Sequence, residues 1–139
     1  MDKIVVGIDG SPGADQALRW AIDEARQWNA ELDVVIAWSY LDQHTPEFKP
    51  DYDETDVRTN VDAALARVGG ADGVNIVVSP VNDLPARAIL DRAVEADLVV
   101  VGSRGLGGFK GLLLGSVSHQ VVSHSRTPVV IVHPEDDVR

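Results

Sequence analysis

Leu98-Val99-Val100-Val101 runs into Gly102-Ser103-Arg104-Gly105, and then through Leu106-Gly107-Gly108-Phe109-Lys110-Gly111-Leu112-Leu113-Leu114 to Gly115-Ser116. Four apolar residues that stop at a glycine predict a fully buried strand, and Gly115-Ser116 ahead of Val117, Val121 and Val122 predicts the start of a short helix. The stretch from Gly102 to Gly115 holds six glycines in fourteen residues, which allows positive φ and lets the backbone approach a ligand with no Cβ in the way. The helix that follows offers unpaired N–H groups and the positive end of its dipole, and Ser116 adds a hydroxyl. Two readings are open at this point: a loop that holds an anion, or a glycine-rich turn in which Ser116 only caps the helix.

Charge favours the anion. From Leu98 to Pro134 there is no Asp or Glu, and Arg104, Lys110 and Arg126 give that segment +3, which leaves −13 for the remainder of a chain whose net charge is −10. A strongly acidic chain with one acid-free segment around a glycine loop has separated its charge along the sequence. Phosphate is the leading candidate for the anion.

The 139 residues predict a single domain over 1–139, large enough to bury about two-thirds of its unfolded surface. Val, Ala, Leu and Ile are abundant and aromatic residues are only 5% of the chain, as expected for a parallel sheet flanked by helices. The absence of cysteine excludes disulfides and thiolate metal sites. Met1-Asp2-Lys3 leads directly into a strand, with no signal-peptide pattern. No apolar run approaches the roughly 20 residues that span a bilayer. The expectation is a cytoplasmic protein that engages no membrane and, being acidic, no nucleic acid.

Outward from the glycine loop, the other elements follow from period and punctuation. Ile4-Val5-Val6-Gly7-Ile8 predicts a first strand that turns at Asp9-Gly10, with Ser11-Pro12 as helix cap and first helical residue. Ala14, Ala17, Leu18, Ala21, Ile22 and Ala25 form a stripe of period 3.6, and that helix should end near Asn29. Leu32 to Trp38, broken only by Asp33, predicts a second buried strand. The polar, proline-punctuated segment from Ser39 to about Thr55 reads as a solvated linker, ahead of a surface flap. Val57, Val61, Ala64, Leu65 and Val68 mark a second helix closed by Gly69-Gly70, and Val74 to Val78 a third strand. Asp83 is the expected cap of a third helix with a buried stripe at Ala86, Ile89, Leu90, Ala93 and Val94. Val129 to Val132, after Thr127-Pro128, is the fifth strand.

Strands and helices alternating at this spacing imply right-handed crossovers and an α/β fold: an open, mainly parallel five-stranded sheet with helices on both faces, Rossmann-like. Ligands bind such sheets beyond the carboxyl ends of the strands, where strand order reverses. Asp9 and Gly102 would both lie on that edge and would share a crevice if strands one and four are neighbours.

The sequence lacks G-x-x-x-x-G-K-[ST], lacks G-x-G-x-x-G after the first strand, and lacks H-E-x-x-H. His119 and His124 are read as surface or interface residues rather than metal ligands. No nucleophile stands beside an evident base.

These residues resemble the universal stress protein family in its nucleotide-binding form, across essentially the whole chain. The family pattern is Gly, two residues, Gly, nine residues, Gly and Ser or Thr. Here it is Gly102, Ser103-Arg104, Gly105, Leu106 to Leu114, and Gly115-Ser116, supported by the Gly7-Ile8-Asp9 strand end and the Thr127-Pro128-Val129-Val130 strand start. The resemblance implies ATP, together with Mg²⁺, where the residues alone reached phosphate. It implies that Gly7, Asp9, Ala37 and Trp38 lie by the adenosine, that Val101 and Gly102 flank the nucleoside, and that Arg104, Gly105, Gly115, Ser116 and Val117 lie nearer the phosphates. Trp38 has two readings, a ring stacked on the base or an ordinary core side chain. The function implied is an ATP-binding stress-response regulator with little or no hydrolysis. A slow ATPase or self-phosphorylating enzyme, or a dimeric scaffold with a vestigial site, is the alternative. The sheet order implied by the resemblance puts the fifth strand at an edge, where Val129-Val130-Ile131-Val132 is apolar enough to require cover and predicts a homodimer.

Overall fold

The computed structural model describes residues 1–37, 54–81, 83–103 and 114–134. Trp38, Arg104, Gly105 and nearly all of the expected 39–55 linker lie outside the described residues. The elements run β1 (Lys3–Ile8), α1 (Pro12–Trp28), β2 (Glu31–Ala37), α2 (Glu54–Arg67), β3 (Asn75–Val81), α3 (Pro85–Ala93), β4 (Leu98–Gly102), α4 (Ser116–His124) and β5 (Val129–Val132). All strand pairs are parallel, in the order β3-β2-β1-β4-β5. The α/β architecture expected from the sequence is the one observed.

Strand alternation sorts the core into two layers. Ile4, Val6, Leu32, Val34, Leu98 and Val100 face α1 and α2, whereas Val5, Val35, Ala37, Val99 and Val101 face α3 and α4. The fully apolar runs of β1, β2 and β4 are explained by this: a central parallel strand is covered on both sides. Asp33 breaks the β2 run and is 1% exposed, and Ser79 of the neighbouring β3 donates its hydroxyl to the Asp33 carboxylate at 2.6 Å. A buried acid in mid-sheet is tolerated here because the adjacent strand supplies a donor.

Three local expectations are corrected. Leu84, not Asp83, occupies the cap position of α3; Pro85 fixes the first helical residue, while the Asp83 carboxylate accepts from the Leu84 N–H and sits 3.7 Å from Arg87. Val94 is 81% exposed, because α3 ends at Ala93 and the stripe stops with it. β3 continues to Val81 through Pro80, which is admissible because β3 is an edge strand with one side of its ladder unpaired.

At the amino edge of the sheet the Asp97 carboxylate accepts from the backbone N–H groups of Asp2 and Lys3 at 2.7 and 3.0 Å. These two bonds hold its pKa below the usual carboxylate value. They tie the start of β1 to the start of β4, the pair whose loops form the opposite edge.

Candidate functional site at the carboxyl edge

β1 and β4 are neighbours, paired Ile4↔Leu98, Val5↔Val99 and Val6↔Val100. The crossover from β1 passes through α1 on one face, and the return from β4 to β5 passes through α4 on the other. Strand order therefore reverses between β1 and β4, the point beyond whose carboxyl ends ligands bind sheets of this kind. The described candidates Asp9, Ala37, Gly102, Gly115 and Ser116 all lie at this carboxyl edge.

Two helix N-termini follow the strands of this switch point, and they are finished differently. At α1, the Ser11 hydroxyl accepts from the Ala14 N–H at 3.2 Å and the Asp9 carboxylate accepts from the Ser11 N–H at 2.9 Å. Asp15 adds an acid in the first turn and holds Arg67 of α2 through two bonds of 2.7 and 3.1 Å, which raise the Arg67 pKa further. This terminus is capped, and its dipole is already met by an acid.

At α4 the cap position is Gly115, no side chain caps the helix, and no acid lies in its first turn. Ser116 is the first helical residue rather than the cap, and its exposed hydroxyl accepts from the Gln120 amide at 3.3 Å. Ser118, for which the sequence carries no signal, anchors the turn: its buried hydroxyl lies 2.8 Å from the Ser103 carbonyl and 3.1 Å from that of Gly115. The Gly115 N–H also donates to the Ser103 carbonyl. Beneath this turn the Ser103 side chain is fully buried, and its hydroxyl has no partner among the described residues. An uncapped helix N-terminus, an acid-free first turn and an orphaned buried hydroxyl fit a phosphate group.

Several candidates have a packing role that the sequence did not reveal. A Cβ on Gly7 would overlap the side chain of Ile89 on α3, and a Cβ on Gly102 would lie 2.8 Å from the carbonyl oxygen of Gly13 on α1. Each glycine lets a helix backbone or core side chain sit directly on its strand. Ala37 and Val101 are buried in the layer under α3, so only their backbones are available to a ligand. Neither Gly102 nor Gly115 needs positive φ; Gly115 is extended at φ −77° and ψ 174°, and among the described glycines positive φ occurs at Gly10, Gly69, Gly70 and Gly73. Val117 is half-buried against the α3 layer. His119 and His124 are exposed, and no group of three or more potential metal ligands occurs among the described residues.

The family model described as the universal stress protein family matches residues 1–133. A universal stress protein of Mycobacterium tuberculosis, Rv2623, is 40% identical over 133 residues, covering 92% of this chain and 44% of the relative. This chain thus spans less than half the length of the curated relatives it matches. Among solved structures, a universal stress protein in complex with cAMP is 33% identical with a TM-score of 0.72, covering 96% of this chain and 98% of the other. UspA from Lactobacillus plantarum shares the fold at 24% identity and a TM-score of 0.75, covering 94% and 97% of the two chains.

Proposed function

The chain belongs to the universal stress protein family, and we propose that it acts there as an ATP-binding regulatory module with little or no hydrolysis. The observation that carries this reading is the α4 N-terminus: open, acid-free and beside the end of β4 at the switch point. The N–H groups of Ser116 and Val117 and the Ser116 hydroxyl meet the phosphates there, with Gly115 leaving room at the cap position. Backbone at Gly7, Ala37, Val101 and Gly102 borders the nucleoside, Asp9 lies by the ribose, and Trp38, Arg104 and Gly105 complete the set. Mg²⁺ enters with the triphosphate and offsets its charge in a protein of net charge −10. Slow or absent turnover follows from the side chains: the first turn of α4 has no acid to activate water, and an Asp9 carboxylate oxygen is engaged with the Ser11 N–H.

The cAMP complex of a 33% identical relative favours an adenine nucleotide and gives a second reading, cyclic AMP as the ligand. Calorimetric titration of ATP, with and without Mg²⁺, and of cAMP into wild type and Gly105→Val separates the two. Saturable ATP binding, enhanced by Mg²⁺ and lost in the variant, is expected, with no product above the variant control when labelled ATP is incubated. Unchanged affinity in Gly105→Val overturns the phosphate assignment, and sustained turnover overturns the regulatory one.

We further propose that residues 1–139 form one domain, of a cytoplasmic protein that pairs with a second copy through β5. Val129, Val130, Ile131 and Val132 are apolar, only half-buried, and form an edge strand with no proline. An isologous pairing covers them in both copies. Sedimentation that shows only monomer at micromolar concentration would overturn it.

A further inference from the structure

We infer that the buried Asp33–Ser79 pair is a register lock, which selects the alignment of the edge strand β3 on β2. Asp33 is 1% exposed and Ser79 5% exposed, and the Ser79 hydroxyl, at 2.6 Å, is the one donor that reaches the Asp33 carboxylate among the described residues. The remaining side chains of β3 specify its alignment only weakly. Ile76, Val77, Val78 and Val81 are all β-branched and close in shape, and β3 is held in the sheet by β2 alone.

The pairing is Asp33↔Val77, Val35↔Ser79 and Ala37↔Val81, and strand alternation puts these six residues on one face. A slip of one residue turns Ser79 to the other face, away from Asp33. A slip of two keeps every side chain on its own face, so burial pattern does not oppose it. Toward the carboxyl edge, such a slip brings Ile76 to the place of Val78 and Val77 to the place of Ser79, where valine offers the carboxylate no donor. The chain has slack in that direction: seven residues, 68–74, join α2 to β3, with positive φ at Gly69, Gly70 and Gly73, whereas only three, 82–84, join β3 to α3. The slip would carry Val81 about 7 Å past Ala37, at the edge that holds the candidate site. A carboxylate buried without a donor is strongly unfavourable. Asp33 therefore rejects the slipped alignment, and the pair acts by choosing a register rather than by adding stability.

Two variants of the whole chain test this, with register read from nuclear Overhauser contacts between β2 and β3, which in the wild type place Val78 beside Val34. Asp33→Val with Ser79→Val removes the pair; it is expected to melt no lower than wild type and to show a second set of β3 signals with Ile76 beside Val34. Val77→Ser with Ser79→Val moves the donor two residues back along β3, and is expected to make the slipped set the major one. A single set of signals with Val78 beside Val34 in either variant overturns the inference. A clearly lower melting temperature for the first variant also overturns it, and so does loss of folding in both, because the pair would then hold the fold together rather than choose between registers. If the first variant alone does not fold, the second decides by the same contacts.

Discussion

The N-termini of α1 and α4 follow the two strands of the switch point, one on each face of the sheet, and their chemistry is opposite. α1 begins with a serine cap, a proline at the first helical position and an acid in its first turn that is held by Arg67. α4 begins with a glycine, no cap and no acid. A helix that must only be stable satisfies its own first N–H groups, as α1 does. α4 has no side-chain cap, and the fold holds its first turn from below, through Ser118 and Ser103.

Giving α4 the chemistry of α1 would break the difference most directly. Gly115→Asp puts a carboxylate at the cap position, where it can accept from the first-turn N–H groups and repel a phosphate. With two unit charges about 4 Å apart worth about 4 kcal/mol near a surface, ATP affinity is expected to fall by at least about 100-fold with little change in melting temperature. Calorimetry beside thermal melting reads both. Equal ATP affinity in this variant would mean that α4 does not hold the phosphate.

Gly102 tests whether the glycines of the crevice belong to the ligand or to α1. Because its missing Cβ faces the Gly13 carbonyl at 2.8 Å, Gly102→Ala forces helix backbone to move and is expected to cost about 1–3 kcal/mol of stability. Denaturant unfolding measures it, and an unperturbed midpoint would show that α1 yields freely. Ser11→Ala has the smallest effect, about 1 kcal/mol from the lost cap, read as a lower melting temperature. ATP affinity in Ser11→Ala is expected to stay within about twofold of wild type, as suits a terminus committed to the fold.

Much of the fold was legible because its signals are local. Apolar runs marked β1, β2 and β4, the 3.6 period marked α1, and the strand-helix alternation implied the parallel sheet. The switch point between β1 and β4 was legible too, since it follows from the alternation of strands and helices, and the acid-free segment begins at the strand that borders it. What escaped the sequence depends on contacts between distant segments. Ser103 and Ser118 read as ordinary loop and helix polar residues until β5 and the first turn of α4 close around them. The packing roles of Gly7 and Gly102 escaped as well, because the sequence does not reveal Ile89 or Gly13 pressed against them. Asp33 read as an interruption of a strand until Ser79 was found beside it. At α3, Pro85, two residues after Asp83, made Leu84 the cap against the better capping residue, so local rules competed and backbone geometry prevailed.

The strand order has a consequence for synthesis. β1 lies at the centre of the sheet, yet its two partners come from different ends of the chain: β2 ends at Ala37 and β4 begins at Leu98. At 5–20 residues per second, translation separates them by roughly 3–12 s. During that interval a nascent chain carrying Ile4, Val5 and Val6 has one side of its central strand open, an apolar edge without its neighbour. That edge closes only once β4 has been made, and the Asp97 carboxylate that accepts from the N–H groups of Asp2 and Lys3 lies one residue before that strand, joining the starts of β1 and β4.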